Sequence, residues 1–137
     1  MAIDEKLKSI EMFAELSVKQ RREVLKLMTQ VTVEPGHELI VEGTVGREFI
    51  IILDGEATVR RAGRLVARVG PGDFIGELAV IAGVARTATV TADTHMTLSV
   101  LNQREFSSLL DAEPALARKI LVGAVKRLHA LDPSLVK

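Results

Sequence analysis

The sequence predicts an α+β chain in which helices flank an antiparallel β barrel or roll, and three observations predict it. Nine of the ten glycines lie between Gly36 and Gly83, while both ends are rich in Lys, Leu, Glu and Ala. Between residues 31 and 101 short Val- and Ile-rich runs are broken by turn signals, the rhythm of hairpin-connected strands. The chain has 137 residues, 47% of them apolar, which is one domain's length with enough apolar side chain for a single core. We therefore expect one domain over 1–137: helical over 1–30, a β-roll over 31–101, and C-terminal helices over 102–131.

The elements follow in order. A short helix is expected around Asp4 to Ile10. Ser17, with Gln20 three residues on, forms a capping box for a second helix. Its apolar stripe, Val18, Val24, Leu25, Leu27 and Met28, runs through about residue 29. Turns are expected at Pro35-Gly36, Gly43 to Gly46, Asp54-Gly55, Ala62-Gly63 and Gly70 to Asp73. Phe49 to Leu53 is apolar on both faces, so that strand should be covered on both sides. In 64–69, Leu65, Ala67 and Val69 alternate with Arg64, Val66 and Arg68, which predicts one core face and one wet face. Strands are expected again over Arg86 to Ala92 and Met96 to Leu101. Asn102 with Glu105 caps a helix to about Leu110, and Pro114 suits the first turn of a last helix ending near Leu131. Leu116, Ile120, Leu121, Ala124, Val125, Leu128 and Leu131 give that helix a broad stripe, and Gly123 within it marks a hinge or a close contact with the roll.

Composition removes several function classes. Eighteen basic residues balance eighteen acidic ones, so no overall field draws a polyanion, and direct nucleic-acid binding is not expected, although a local patch is allowed. The absence of cysteine removes disulfides, thiolate nucleophiles and Cys-based metal sites, which suits a cytoplasmic location. The run Phe49 to Leu53 is too short to cross a bilayer, and no membrane segment is expected. The three histidines include no His-x-His pair, no serine sits in a nucleophile elbow, and no carboxylate pair stands out, so no catalytic residue, metal site or cofactor is expected.

The chemistry concentrates in 72–92, GDFIGELAVIAGVARTATVTA. Gly76 lets the chain turn into a short helix that Gly83 ends, and the first amides of that helix form a small anion-receiving concavity. In a regular strand, Arg86 shares a face with Ala88, Val90 and Ala92. If that apolar face points inward, so does the arginine. A desolvated guanidinium without a partner would cost several kcal/mol, so an anion must meet it. Two anions are candidates: Glu77, in a structural ion pair, or an exogenous phosphate that uses both the arginine and the amides.

Gly76-Glu77-Leu78-Ala79, the apolar pair Val80-Ile81, and Arg86-Thr87-Ala88-Thr89-Val90 together resemble the phosphate-binding cassette of cyclic nucleotide-binding domains. That family includes catabolite activator proteins, regulatory subunits of cyclic-AMP-dependent protein kinase, and cyclic-nucleotide-gated channels. The resemblance spans nearly the whole chain. It implies an eight-stranded, jelly-roll-like β-roll with N-terminal helices, a short cassette helix and two C-terminal helices. It further implies a non-catalytic sensor or regulatory domain for a cyclic purine nucleotide, cAMP ahead of cGMP.

By position, the resemblance implies that Arg86 pairs with the cyclic phosphate and Glu77 accepts from the ribose 2'-hydroxyl. Amides of Gly76, Glu77, Leu78, Ala79 and Ala88 would line the phosphate and ribose, and Thr87 would add a hydroxyl, a residue found in both cGMP- and cAMP-binding members. The last helix would supply a lid, with Lys126, Arg127, Leu128 and Leu131 as candidates. Two departures stand out: Ala85 precedes the arginine where many members have proline, and Arg47 follows Gly46 where Gly-Asp is common. The expected partner, besides the nucleotide, is an effector protein or a covalently linked effector domain. The alternative is a protein-interaction module with a degenerate pocket in which the Glu77–Arg86 pair is structural.

Overall fold

The computed structural model describes residues 13, 14 and 16–131, apart from the side chains of Leu78, Ile81, Ala82, Arg127, Leu128, Ala130 and Leu131. The helix expected at Asp4 to Ile10 lies outside them. The order is α1 (Val18–Leu27), β1 (Thr29–Val33), β2 (Glu38–Ile40), β3 (Glu48–Asp54), β4 (Ala57–Arg61), β5 (Arg64–Val69), β6 (Phe74–Ile75), α2 (Glu77–Ala82), β7 (Thr89–Ala92), β8 (Met96–Asn102), α3 (Gln103–Ala112) and α4 (Pro114–Leu131). Both expected capping boxes form: the Ser17 hydroxyl accepts from the Gln20 amide at 3.1 Å, and Asn102 Oδ1 accepts from the Glu105 amide at 2.8 Å.

The eight strands form two antiparallel four-stranded sheets, ordered β1-β8-β3-β6 and β2-β7-β4-β5. Strand β3 explains how the layers stack. Its five central residues are all buried, and they divide by parity. Ile50 and Ile52 join Leu98, Met96, Val90 and Ala92 between the two sheets. Phe49, Ile51 and Leu53 face the other way, into the helices, with Leu101, Phe106 and Ile120. Phe49 stacks on Phe106 at 4.5 Å between ring centroids and tilts against Phe74 at 5.6 Å. No described helix is long and apolar enough to cross a membrane.

Three expectations are corrected. Strand β5 has little core face: Arg64 to Arg68 are all exposed, Leu65 at 56% and Val66 at 42%, on the outer strand of the sheet, and only Val69 packs against the inter-sheet core. The strand expected from Arg86 begins at Thr89. Before that point the chain pairs with a turn instead of a sheet strand: Arg86 N–H donates to Thr44 C=O at 2.8 Å, and Gly43 N–H donates to Arg86 C=O at 2.9 Å. The α4 stripe is narrower than expected. Leu116, Ile120 and Ala124 are buried, whereas Leu121 and Val125 are exposed.

Gly123 resolves as a contact with the roll. A Cβ there would lie 2.6 Å from Cζ of Phe74, whose ring is backed by Phe49. Helix propensity alone favours Gly123→Ala by about 1 kcal/mol, but overpacking costs about 1–3 kcal/mol. The substitution is expected to lower Tm; a rise of the size propensity predicts would show that Phe74 yields freely.

Candidate functional site

The site forms where the loop ahead of β7 passes between two glycines. Arg86 is 7% exposed although it belongs to no sheet strand. Its Nη2 donates to Glu48 C=O at 2.9 Å and its Nη1 to Gly76 C=O at 3.2 Å. Gly46 lies flat against Nε, Cζ and Cδ, where any Cβ would collide with the guanidinium. On the other side Gly76, the N-cap of α2, has φ +86°, and a Cβ there would meet Arg86 Nη1 at 2.5 Å and Glu48 C=O at 2.7 Å. Both positions therefore require glycine, Gly46 for space and Gly76 for space and backbone conformation.

Arg86 is thus inserted between backbone segments that contribute acceptors without charge. Among the described residues no carboxylate lies within 4 Å of its guanidinium, so Glu77 and Arg86 do not form a direct ion pair. Burial lowers the basicity of Arg86 from its ordinary value, and the charges of Glu48 and Glu77 at longer range oppose that shift. An arginine remains protonated through such a change. The result is a fixed, mostly buried positive charge with donors to spare.

Beside it lies a cleft of about 200 Å³. Gly76, Glu77, Ala79, Arg86, Thr87 and Ala88 line one end. Of these, Glu77 is 2% exposed, Ala88 is half-buried and Thr87 is exposed. The first-turn amides of α2 have no partner within the helix by geometry. Six of the seven expected binding residues therefore come together at one place; the side chain of the seventh, Leu78, is outside the described set. Of the expected lid, Lys126 is exposed on α4, and the side chains of Arg127, Leu128 and Leu131 are likewise outside it. Arg47 is exposed, as a solvated surface residue is.

The far wall was not anticipated from the sequence. It is apolar, made by Ile40, Val59, Val66, Ala67, Val69 and Val90. Val59 pairs with Ala67, the next pair is Arg60 with Leu65, and Val66 is the extra residue of a bulge between them. A bulge sets two successive residues on the same side of the ladder, which is how Val66 and Ala67 both reach the cleft. The alternation in 64–69 is a partial signal: Ala67 and Val69 of its expected inward face line the cleft, but the bulge exchanges Leu65 for Val66. From the sequence Gly46 is only part of a turn, because nothing local announces a contact made forty positions away.

Residues 30–113 match the family model for the cyclic nucleotide-binding domain, and this chain belongs to that family. Among its relatives is the cAMP-dependent protein kinase regulatory subunit of Yarrowia lipolytica, 35% identical over 106 residues that cover 76% of this chain and 28% of the relative. The potassium/sodium hyperpolarization-activated cyclic nucleotide-gated channel 2 of Homo sapiens is 31% identical over 98 residues, covering 72% of this chain and 11% of the channel. In structure, the regulatory domain of Toxoplasma gondii protein kinase A, crystallised with cAMP, superposes with a TM-score of 0.73 at 25% identity, over 85% of this chain and 48% of that one. The chain thus spans about a quarter of the regulatory subunit and about a tenth of the channel.

The seat of Arg86 yields a direct test. Gly46→Ala is expected to displace the guanidinium, shifting the Arg86 Nε–Hε resonance in a ¹⁵N correlation spectrum and lowering urea stability by about 1–3 kcal/mol. A resonance left in place would mean that the Gly46 contact does not set the arginine's position.

Proposed function

We propose that the domain binds a cyclic purine nucleotide, cAMP in preference to cGMP, as a cytoplasmic sensor or regulatory domain without catalysis of its own. The observation that carries this is the buried Arg86 guanidinium, held by two neutral carbonyls with no carboxylate in ion-pair contact among the described residues and opening on a cleft. A monoanionic cyclic phosphate supplies the missing charge. In this reading Glu77, beside Arg86 at the same end of the cleft, accepts from the ribose 2'-hydroxyl. The amides of Gly76, Glu77, Leu78, Ala79 and Ala88 surround phosphate and ribose, and the Thr87 hydroxyl adds a contact.

The preference for adenine rests on the apolar wall. Ile40, Val59, Val66, Val69 and Val90 carry no side-chain polar group, so they penalise each unpaired edge group of a base, and guanine, with its ring N–H, amino group and carbonyl, has more of these than adenine. The names of the regulatory-subunit relatives, cAMP-dependent kinases, agree with that preference. The signal then passes to an effector, a separate protein or a linked domain. Nucleotide binding draws the loop at Gly76 inward and α4 settles over the base, with Lys126, Arg127, Leu128 and Leu131 as its contacts, so amide exchange over 114–131 should slow with ligand.

Calorimetric titration with cAMP and cGMP tests the reading. The wild-type protein is expected to bind cAMP more tightly, and Arg86→Ala to weaken binding about 30- to 5,000-fold, the cost of about 2–5 kcal/mol for truncating one side of a buried charge pair. Undiminished affinity in that variant would place the site elsewhere. Absence of binding by the wild type would leave an interaction module with a degenerate pocket.

A further inference from the structure

The chain is neutral overall, but its charge is not evenly spread. Residues 57–72 contain four arginines, Arg60, Arg61, Arg64 and Arg68, and no lysine or acid. All four sit on the β4–β5 hairpin and all are exposed. Among the described residues none lies within 4 Å of a carboxylate or donates a side-chain hydrogen bond. Two nearby acids are engaged with other groups: Glu42 Oε1 accepts the Ala62 amide at 2.9 Å at the hairpin tip, and Asp93 Oδ2 accepts the Thr58 hydroxyl at 2.6 Å. Arg61 even pairs directly across the ladder from Arg64, a like-charge juxtaposition that costs stability.

Register sorts these residues by face. Val59 and Ala67 look into the cleft, so Thr58, Arg60, Leu65 and Arg68 lie on the opposite face. There Leu65, 56% exposed, sits between two arginines. Strand β5 is also the last strand of its sheet, with nothing paired to its outer edge among the described residues. An unpaired edge, exposed apolar side chain and arginine without lysine occur together here. Arginine's planar fork fits carboxylates bidentately, and an open edge offers main-chain hydrogen bonds to an extended segment.

We propose that the outer edge and the Arg60–Leu65–Arg68 face of the β4–β5 hairpin form a docking surface for an extended acidic segment of a partner protein, which adds beside β5 with its carboxylates on the arginines and an apolar side chain on Leu65. The exposed leucine and the strand edge favour a peptide over a phosphodiester or lipid headgroup, neither of which uses them. The surface is separate from the cleft, so this inference stands whether or not a nucleotide binds there.

The test is fluorescence anisotropy with a labelled peptide of alternating Glu and Val, run beside the same peptide with Lys for Glu, a single-stranded DNA and vesicles containing phosphatidylserine. The acidic peptide is expected to bind saturably, to weaken at least about tenfold as salt rises from about 0.05 to 0.3 M, and to slow amide exchange over residues 64–69. Arg60→Glu/Arg68→Glu is expected to weaken the peptide at least about tenfold while leaving Tm and any nucleotide titration unchanged. Should that double reversal fail to fold, Arg60→Ser/Arg68→Ser serves in its place. Binding of DNA or vesicles in preference to the acidic peptide overturns the proposal, as does a peptide affinity that survives the reversal. Absence of binding by all four probes also overturns it, leaving the arginines as charges that keep an open edge from self-association.

Discussion

The structure turns on the burial of one permanent charge. Arg86 cannot lose its proton, so the fold must supply acceptors for it, and it does so with the carbonyls of Glu48 and Gly76. Those two groups come from opposite directions, one from the start of β3 and the other from the N-cap of α2. Both must approach closely, and that requires glycine at 46 and 76, where a Cβ would enter the space the guanidinium fills. The turn at Gly43 to Gly46, the left-handed N-cap and the loop ahead of β7 are therefore one assembly built around a single side chain. The isolated bridge between Val45 and Ala85 and the amide bonds between Arg86 and the Gly43–Thr44 turn hold it in register.

That assembly needs a rigid base, and the parity of β3 provides one. Alternate residues of a single strand anchor both core layers, the inter-sheet layer through Ile50 and Ile52 and the helix-facing layer through Phe49, Ile51 and Leu53. Glu48, whose carbonyl receives Arg86, is the first residue of that strand, so the acceptor is fixed by the most deeply packed element of the chain. In the cleft lining the bulge at Val66 breaks the regular ladder and lets β5 contribute Val66 and Ala67, while only Val69 of that strand packs against the inter-sheet core. The apolar lining of the cleft is carried by the β2-β7-β4-β5 sheet, from Ile40 and Val90 out to the edge strand β5.

How much of this could be read from the sequence depended on the range of the forces involved. Local chemistry was legible: Ser17 with Gln20 and Asn102 with Glu105 announced their helices, and the apolar run at Phe49 announced a strand covered on both faces. The inward turn of Arg86 was also anticipated, but from strand alternation that does not apply, since β7 begins three residues later. What buries Arg86 is the long-range meeting of Gly46, Glu48 and Gly76, which no periodicity encodes. The outward course of β5 was hidden for a related reason. An alternating pattern marks a face that is apolar, and a cleft wall is as apolar as a core.

The choice of carbonyls over a carboxylate has an electrostatic logic. A carboxylate 4 Å from the guanidinium would attract it by about 4 kcal/mol at an effective dielectric of 20, and an incoming anion would have to compete with that attraction. Two carbonyl dipoles fix the arginine's orientation but leave its unit charge uncancelled, and the charges of Glu48 and Glu77 offset its burial from farther away. The arrangement satisfies a buried guanidinium with neutral acceptors in place of a direct ion pair. Lysine could not replace it on these terms, because an ammonium is a point charge without the planar fork that reaches two carbonyls and still presents further N–H groups to a third partner. The geometry around Arg86 is thus that of a buried cation seated on neutral acceptors, with no carboxylate within 4 Å among the described residues.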